Sequence, residues 1–255
     1  MPGRAVSKAV LCGVLLAALL AGVPGAEAQN IGLPKISIEA GAANSPQQAA
    51  TALQIVTILT ILSVAPAILL MLTSFTRVII VLSLLRQAIG VQQLPPNQVL
   101  VGLSLFLTFF IMAPVGEDIR KVAWEPYSAQ KISQTEALTR AMGPLRDFML
   151  RQARQTDVAL MVHLAKLPAP KSAADLPTHV VVPAFALSEI RTAFQIGFVL
   201  FIPFLIIDMV VASVLMSMGM LMLPPVMISL PFKLLLFVLA DGWHLVVRAL
   251  VAGFR

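Results

Sequence analysis

From Ala52 to Leu72 the chain reads ALQIVTILTILSVAPAILLML, and there is no charge anywhere between Glu39 and Arg77. A helix rises about 1.5 Å per residue and needs about 20 apolar residues to cross a bilayer, so this run predicts a spanning helix. Pro66 inside it removes a backbone donor and predicts a kink. The stretch from Phe75 to Ile89 is apolar again but carries Arg77 and Arg86, so it reads either as a continuation of the first helix or as a short return segment. Gly90 and Pro95-Pro96-Asn97 punctuate the chain after it, since Gly suits a helix end and Pro can open the next helix. A third run, Val99 to Val115, is free of charge up to Glu117, and a helical hairpin is the expected form of residues 51–115.

The pattern then changes. Residues 116–190 have an ordinary mixture of charged and apolar positions. Phe148, Leu150, Val158, Leu160, Met161 and Leu164 fall at loosely helical spacing, which predicts a small helical domain outside the membrane. Pro168, Pro170, Pro177 and Pro183 predict repeated breaks in its last part. Residues 191–255 return to apolar helix. Ala193 to Leu215 holds Pro203 and one charge, Asp208; the segment MSMGMLMLPP follows; Val226 to Val251 carries Lys233, Asp241, His244 and Arg248. The expected plan is all-α, with four membrane-type segments and a domain between the second and third.

Composition sharpens this picture. With 58% hydrophobic and 12% charged residues, the chain lies far from the soluble globular mix and belongs with membrane proteins. The net charge of +6 does not point to nucleic acid, because ten basic residues between Arg120 and Arg191 are interleaved with eight acidic ones from Glu117 to Glu189. Residues 1–28 read as a secretory signal peptide: Arg4 and Lys8 precede an apolar stretch from Ala9 to Val23, and Ala26-Glu27-Ala28 marks cleavage after Ala28. The lone Cys12 leaves with it, so no disulfide or cysteine metal site is expected in the mature chain. Residues 29–50 form a leader rich in Gly, Ala, Pro and Ser that starts outside the cytoplasm. The middle domain then also lies outside, since long domains translocate largely regardless of charge.

Several residues carry candidate chemistry. Met216, Met218, Met220 and Met222, with Leu221 among them and Pro224-Pro225 after them, form a methionine-rich loop around Gly219. Unbranched, polarizable thioethers can close a pore to ions and still deform around a passing polypeptide; equally, they can fill gaps between helices. Asp208, Lys233, Asp241, His244 and Arg248 lie in or beside apolar helices, where an unpaired charge is costly. Asp208 and Lys233 read as a pair between helices, and Asp241, His244 and Arg248 as neighbours on one helix face. These charges either fix packing and assembly or carry protons. Glu189 and Arg191 are expected at a helix start, where a carboxylate is favoured by free N–H groups. His163 and His179 lack metal-ligand spacing. No phosphate loop, HExxH or nucleophile elbow occurs, so neither an enzyme nor a cofactor is expected.

Three stretches resemble one family closely: MLTSFTRVIIVLSLLRQAIGVQQLPPNQVLVGLSLFLTFFIMAPV (Met71 to Val115), PAFALSEIRTAFQIGFVLFIPFLIIDMVVASVLMSMGMLMLPP (Pro183 to Pro225) and ISLPFKLLLFVLADGW (Ile228 to Trp243). They are similar to the FliP proteins of bacterial flagellar type III export, with the SctR proteins of injectisomes as relatives. The resemblance implies a homo-oligomer, expected as a pentamer, that joins FliQ and FliR in a helical ring. Unfolded flagellar proteins pass through that ring, beside further subunits such as FlhB and FlhA. It implies a place in the inner membrane within the flagellar basal body, facing the periplasm and in contact with lipid. The methionine loop would be the gate, and Phe148 and Glu189 would contribute to contacts between subunits. The family's consecutive methionines are interrupted here by Leu221. An injectisome export gate is the nearest alternative; an autonomous ion or solute transporter would call for an internal repeat, and none stands out between the two halves.

Overall fold

The computed structural model describes residues 46–91, 94–168, 170, 172, 175–220 and 222–254, with side chains from residue 50 onward. The expected signal peptide with its Ala28 site, the leader up to residue 45 and Leu221 lie outside the described residues. Among the described residues all regular structure is helical. The chain divides into a unit ending at Ile55 and a unit from Val56 to Arg255.

Helix α1 (Pro46–Met71) is followed by α2 (Phe75–Ile89) and α3 (Asn97–Ile119). A π-helical turn, Arg120–Trp124, joins α3 to the short α4 (Glu125–Ser128). Then come α5 (Gln134–Gln152), α6 (Gln155–Leu164), α7 (Thr178–Ser217), α8 (Pro225–Leu239) and α9 (Gly242–Ala252). Three of these stretches are long and apolar enough to cross a membrane: Ala50–Met71, Asn97–Ser128 and Thr178–Ser217. Among the described residues a fourth is counted if α8 and α9, bent by 63°, are taken as one span.

The short α2 is the centre of the packing. Val78, Val81, Leu82, Leu85, Ala88 and Ile89 recur every three or four residues and are buried, so one helical stripe faces inward. They pack with Leu100 and Ile111 of α3, Ala193 and Phe204 of α7, Phe237 of α8, and Val246 and Leu250 of α9. Helices α2 and α7 approach so closely at Gly197 that a Cβ there would lie 2.2 Å from Leu84 Cδ1, so any side chain at this position has to push Leu84 aside. A second cluster gathers Phe148 and Met149 of α5, Val162 of α6, and Val180, Val181 and Phe185 of α7, with Leu72 and Val115.

Four sequence expectations are settled or changed here. Residues 75–89 are a separate helix: the chain turns at Leu72–Ser74, where the Thr73 hydroxyl donates back to the Leu70 carbonyl at 2.9 Å. Pro183 does not break the chain but sits inside α7, which runs without interruption for 40 residues. It stands in the second turn, where only the bond to the His179 carbonyl is given up. Buried Val180, Val181, Ala184 and Phe185 around it supply the packing that outweighs that loss. For the same reason Glu189 lies deep within a helix rather than at a helix start, so it is no N-cap. Finally, the apolar run from Val226 to Val251 is interrupted at Asp241, which adopts a left-handed conformation with φ 48° and starts α9 in a new direction.

Candidate gate loop and buried charge network

The end of α7 is shaped by its sequence. Ser217 is the last helical residue, Met218 the cap, and Gly219 takes φ 76°. The N–H of Gly219 donates to the Met216 carbonyl at 3.1 Å, and that of Met220 to the Leu215 carbonyl at 3.0 Å. This pair of bonds is a Schellman termination, and it needs a residue tolerant of positive φ at Gly219. Pro225 then opens α8 at a position where its missing N–H costs nothing. The connection is therefore short and anchored at both ends. Met216 and Met218 are exposed, and Met222 is 98% exposed. Both flanks of the loop contribute to an open apolar cavity of about 490 Å³, lined by Val211, Val214 and Leu215 of α7 and Ile228 and Phe232 of α8.

Below the loop, α7 and α8 are pinned to each other. Lys233 Nζ lies 2.6 Å from Asp208 Oδ2, joining the two residues expected as a pair. Ser229 Oγ donates to Asp208 Oδ1 at 2.5 Å, and Lys233 Nζ also donates to the Ala88 carbonyl at 3.3 Å. That carbonyl belongs to the last turn of α2, the negative end of its dipole, which suits an ammonium group. Lys233 is 4% exposed, so its charge is held by partners rather than by water. Asp208 stands ten residues before Met218, about 15 Å along the helix axis.

A second network sits toward the other end of α7. Arg77 and Glu189 form a buried, bidentate ion pair: Nε donates to Oε2 at 2.9 Å and Nη2 to Oε1. Arg77 Nη2 also donates to Gln152 Oε1 at 3.0 Å. Nearby, the Ser188 hydroxyl donates to Asp157 Oδ2 at 2.7 Å and accepts the Arg154 N–H at 3.0 Å. Arg191 lies 3.4 Å from Asp157 Oδ1. Phe148 is buried edge-on against Phe185, with ring centroids 5.8 Å apart. Phe148 and Glu189 are thus both interior to the chain.

The remaining marked residues are at the surface. His244 Nδ1 is 3.6 Å from Asp241 Oδ2, both side chains are exposed, and Arg248 on the same helix is exposed as well. Among the described residues no group of three or more His, Cys, Asp or Glu side chains could hold a metal ion. Sequence reasoning missed Arg77 as the partner of Glu189. The signal was present: each is a charge in a largely apolar helix, where an unpaired charge is costly and has to find a partner. Asp157, Ser188 and Gln152 gave no comparable signal, because polar residues in a charge-rich region are ordinarily solvated.

Comparison with known proteins gives a consistent result. Residues 58–250 match the FliP family. The chain is 57% identical over 211 residues to the flagellar biosynthetic protein FliP of Bacillus subtilis, covering 83% of this chain and 96% of that protein. It is 55% identical over 211 residues to the FliP of Pectobacterium carotovorum, covering 83% of this chain and 82% of that one. With the FliP of Aquifex aeolicus the identity is 49% over 225 residues, covering 88% and 92%.

Proposed function

The chain belongs to the FliP family, and from that premise we propose that it is a core channel subunit of the flagellar type III export apparatus, without enzymatic activity of its own. Several copies, as a pentamer, assemble with FliQ and FliR around a central conduit for unfolded flagellar proteins, beside FlhA and FlhB. The assembly belongs to the inner membrane and faces the periplasm. The observation that carries this reading is the methionine loop, whose flexible side chains stand exposed on a helical hairpin pinned below by Asp208 and Lys233. Exposed thioethers cost little when they face a passage, exclude water when it is closed, and yield to a chain of any sequence. A second support is the amount of bare apolar surface. Phe198, Val199, Met209 and Val210 on α7, and Phe232, Leu235 and Val238 on α8, are all exposed, far beyond what a solitary soluble chain tolerates. Lipid and neighbouring subunits are the natural cover.

Two measurements test the proposal. Deleting the gene abolishes flagellar filaments if the chain is a gate subunit; normal filaments in the deletion strain overturn it. Replacing Met218, Met220 and Met222 by Gly raises the ion conductance of membranes carrying the assembled complex. Unchanged conductance would remove the sealing role while leaving the assembly role standing.

A further inference from the structure

The guanidinium of Arg77 does more than pair with Glu189. Its Nη1 donates to the carbonyl of Gly253 at 3.0 Å, beyond the last residue of α9. The Phe254 ring lies over the guanidinium, its centroid 3.7 Å from Cζ. Phe254 also stacks on Phe148, with centroids 6.2 Å apart and planes 17° from parallel. Gln152, which accepts from Arg77, donates through Nε2 to the Phe254 carbonyl at 3.4 Å. Arg77 thus uses four of its five N–H donors on Glu189, Gln152 and Gly253, and Phe254 covers the flat face, which cannot hydrogen-bond.

We propose that Gly253 and Phe254 form an intramolecular latch that fixes the Arg77–Glu189 pair and keeps α9 docked on α2, making Phe254 a positioning residue for Glu189. The physics of each contact agrees. The final carbonyls of a helix lack intrahelical partners and carry partial negative charge, so a cation is stabilised there. A guanidinium removed from water gains most from an aromatic face, since it is weakly hydrated and planar. Residues 77, 152, 189 and 254 come from α2, α5, α7 and the segment after α9, so one side chain joins four parts of the chain. With the latch closed, Val246 and Leu250 of α9 stay in the core around α2. The latch does not depend on the gate reading of the methionine loop, and its test reads neither conductance nor export.

The test is hydrogen–deuterium exchange on the full chain in detergent, comparing Phe254→Ala, Phe254→Leu and Phe254→Tyr. Phe254→Ala speeds exchange of the amides in residues 77–82 and 246–252 by about tenfold, and leaves residues 205–215 unchanged. Phe254→Tyr retains wild-type protection because the ring face is kept. Phe254→Leu keeps apolar volume but loses the face, and behaves like Phe254→Ala. Wild-type protection in Phe254→Ala overturns the latch. Wild-type protection in Phe254→Leu reduces Phe254 to ordinary apolar filling and overturns its role toward Arg77. If Phe254→Ala does not accumulate, the contrast between Phe254→Leu and Phe254→Tyr decides the matter alone.

Discussion

The two halves of α7 differ in how completely one chain can finish them. Around Glu189 the helix is enclosed by α2, α5 and α6, and its charge has a bidentate partner that is itself bonded to Gln152 and Gly253. Around Met216 the same helix carries exposed apolar side chains on an anchored loop, beside an open cavity with no polar lining residue. Asp208 lies between these regimes, half-buried and paired to Lys233. The contrast teaches that one continuous helix can hold two different environments along its length. The interior charge network makes one end a defined object, and the other end keeps its apolar side chains exposed.

The contrast can be broken from the finished end first. Glu189→Ala strands the buried Arg77 guanidinium and costs about 3–5 kcal/mol, the range for removing one partner of a buried pair. Thermal unfolding in detergent reads this as the largest loss of any single substitution considered, and a small loss would mean that Arg77 reaches water. Lys233→Ala costs less, about 1–3 kcal/mol, because Asp208 is one-third exposed and keeps its bond from Ser229. The exchange of the two, Asp208→Lys with Lys233→Asp, recovers only part of that loss. It places a carboxylate against the Ala88 carbonyl where an ammonium stood, and full recovery of the melting temperature would show that this carbonyl is not a working partner.

Packing gives the next step down. Gly197→Ala puts a methyl group where Leu84 Cδ1 lies, and costs about 1–3 kcal/mol as Leu84 is pushed aside and α2 and α7 separate. Thermal unfolding again measures it; a neutral outcome would mean that Leu84 has room to turn away. At the unfinished end, Met222→Leu changes the stability of the isolated chain by no more than about 0.5 kcal/mol, since the side chain touches almost nothing there. A large destabilisation would show that the loop is already packed within one subunit.

Much of the helix plan was legible from punctuation. Gly90 ends α2 with a left-handed cap, Pro96 precedes α3, and Pro224-Pro225 open α8, each where the sequence pattern places a helix boundary. The methionine loop was legible for the same local reason, because Gly219 and the paired prolines constrain the backbone directly. What was not legible depended on partners far away in the chain. Pro183 reads as a breaker by itself and is overruled by buried neighbours on α7. Asp241-Gly242 is a dipeptide that favours turns, but it does not announce a 63° bend in the last apolar run; the Phe237 ring packed on Gly242 belongs to the folded state.

By itself, then, the order of residues determined an all-helical chain, its apolar runs, its exposed loop and the presence of stray charges that had to be neutralised. Backbone conformation and hydrophobic period are local properties, set within one or two turns of helix. The Asp208–Lys233 pair was legible in the sequence, but only the tertiary structure decided that Arg77 meets Glu189 and Gly253. Arg77 and Glu189 are 112 residues apart, and Arg77 and Gly253 are 176. Their contact follows from how α2, α7 and α9 pack, and packing is a property of the whole chain that no short window of sequence contains.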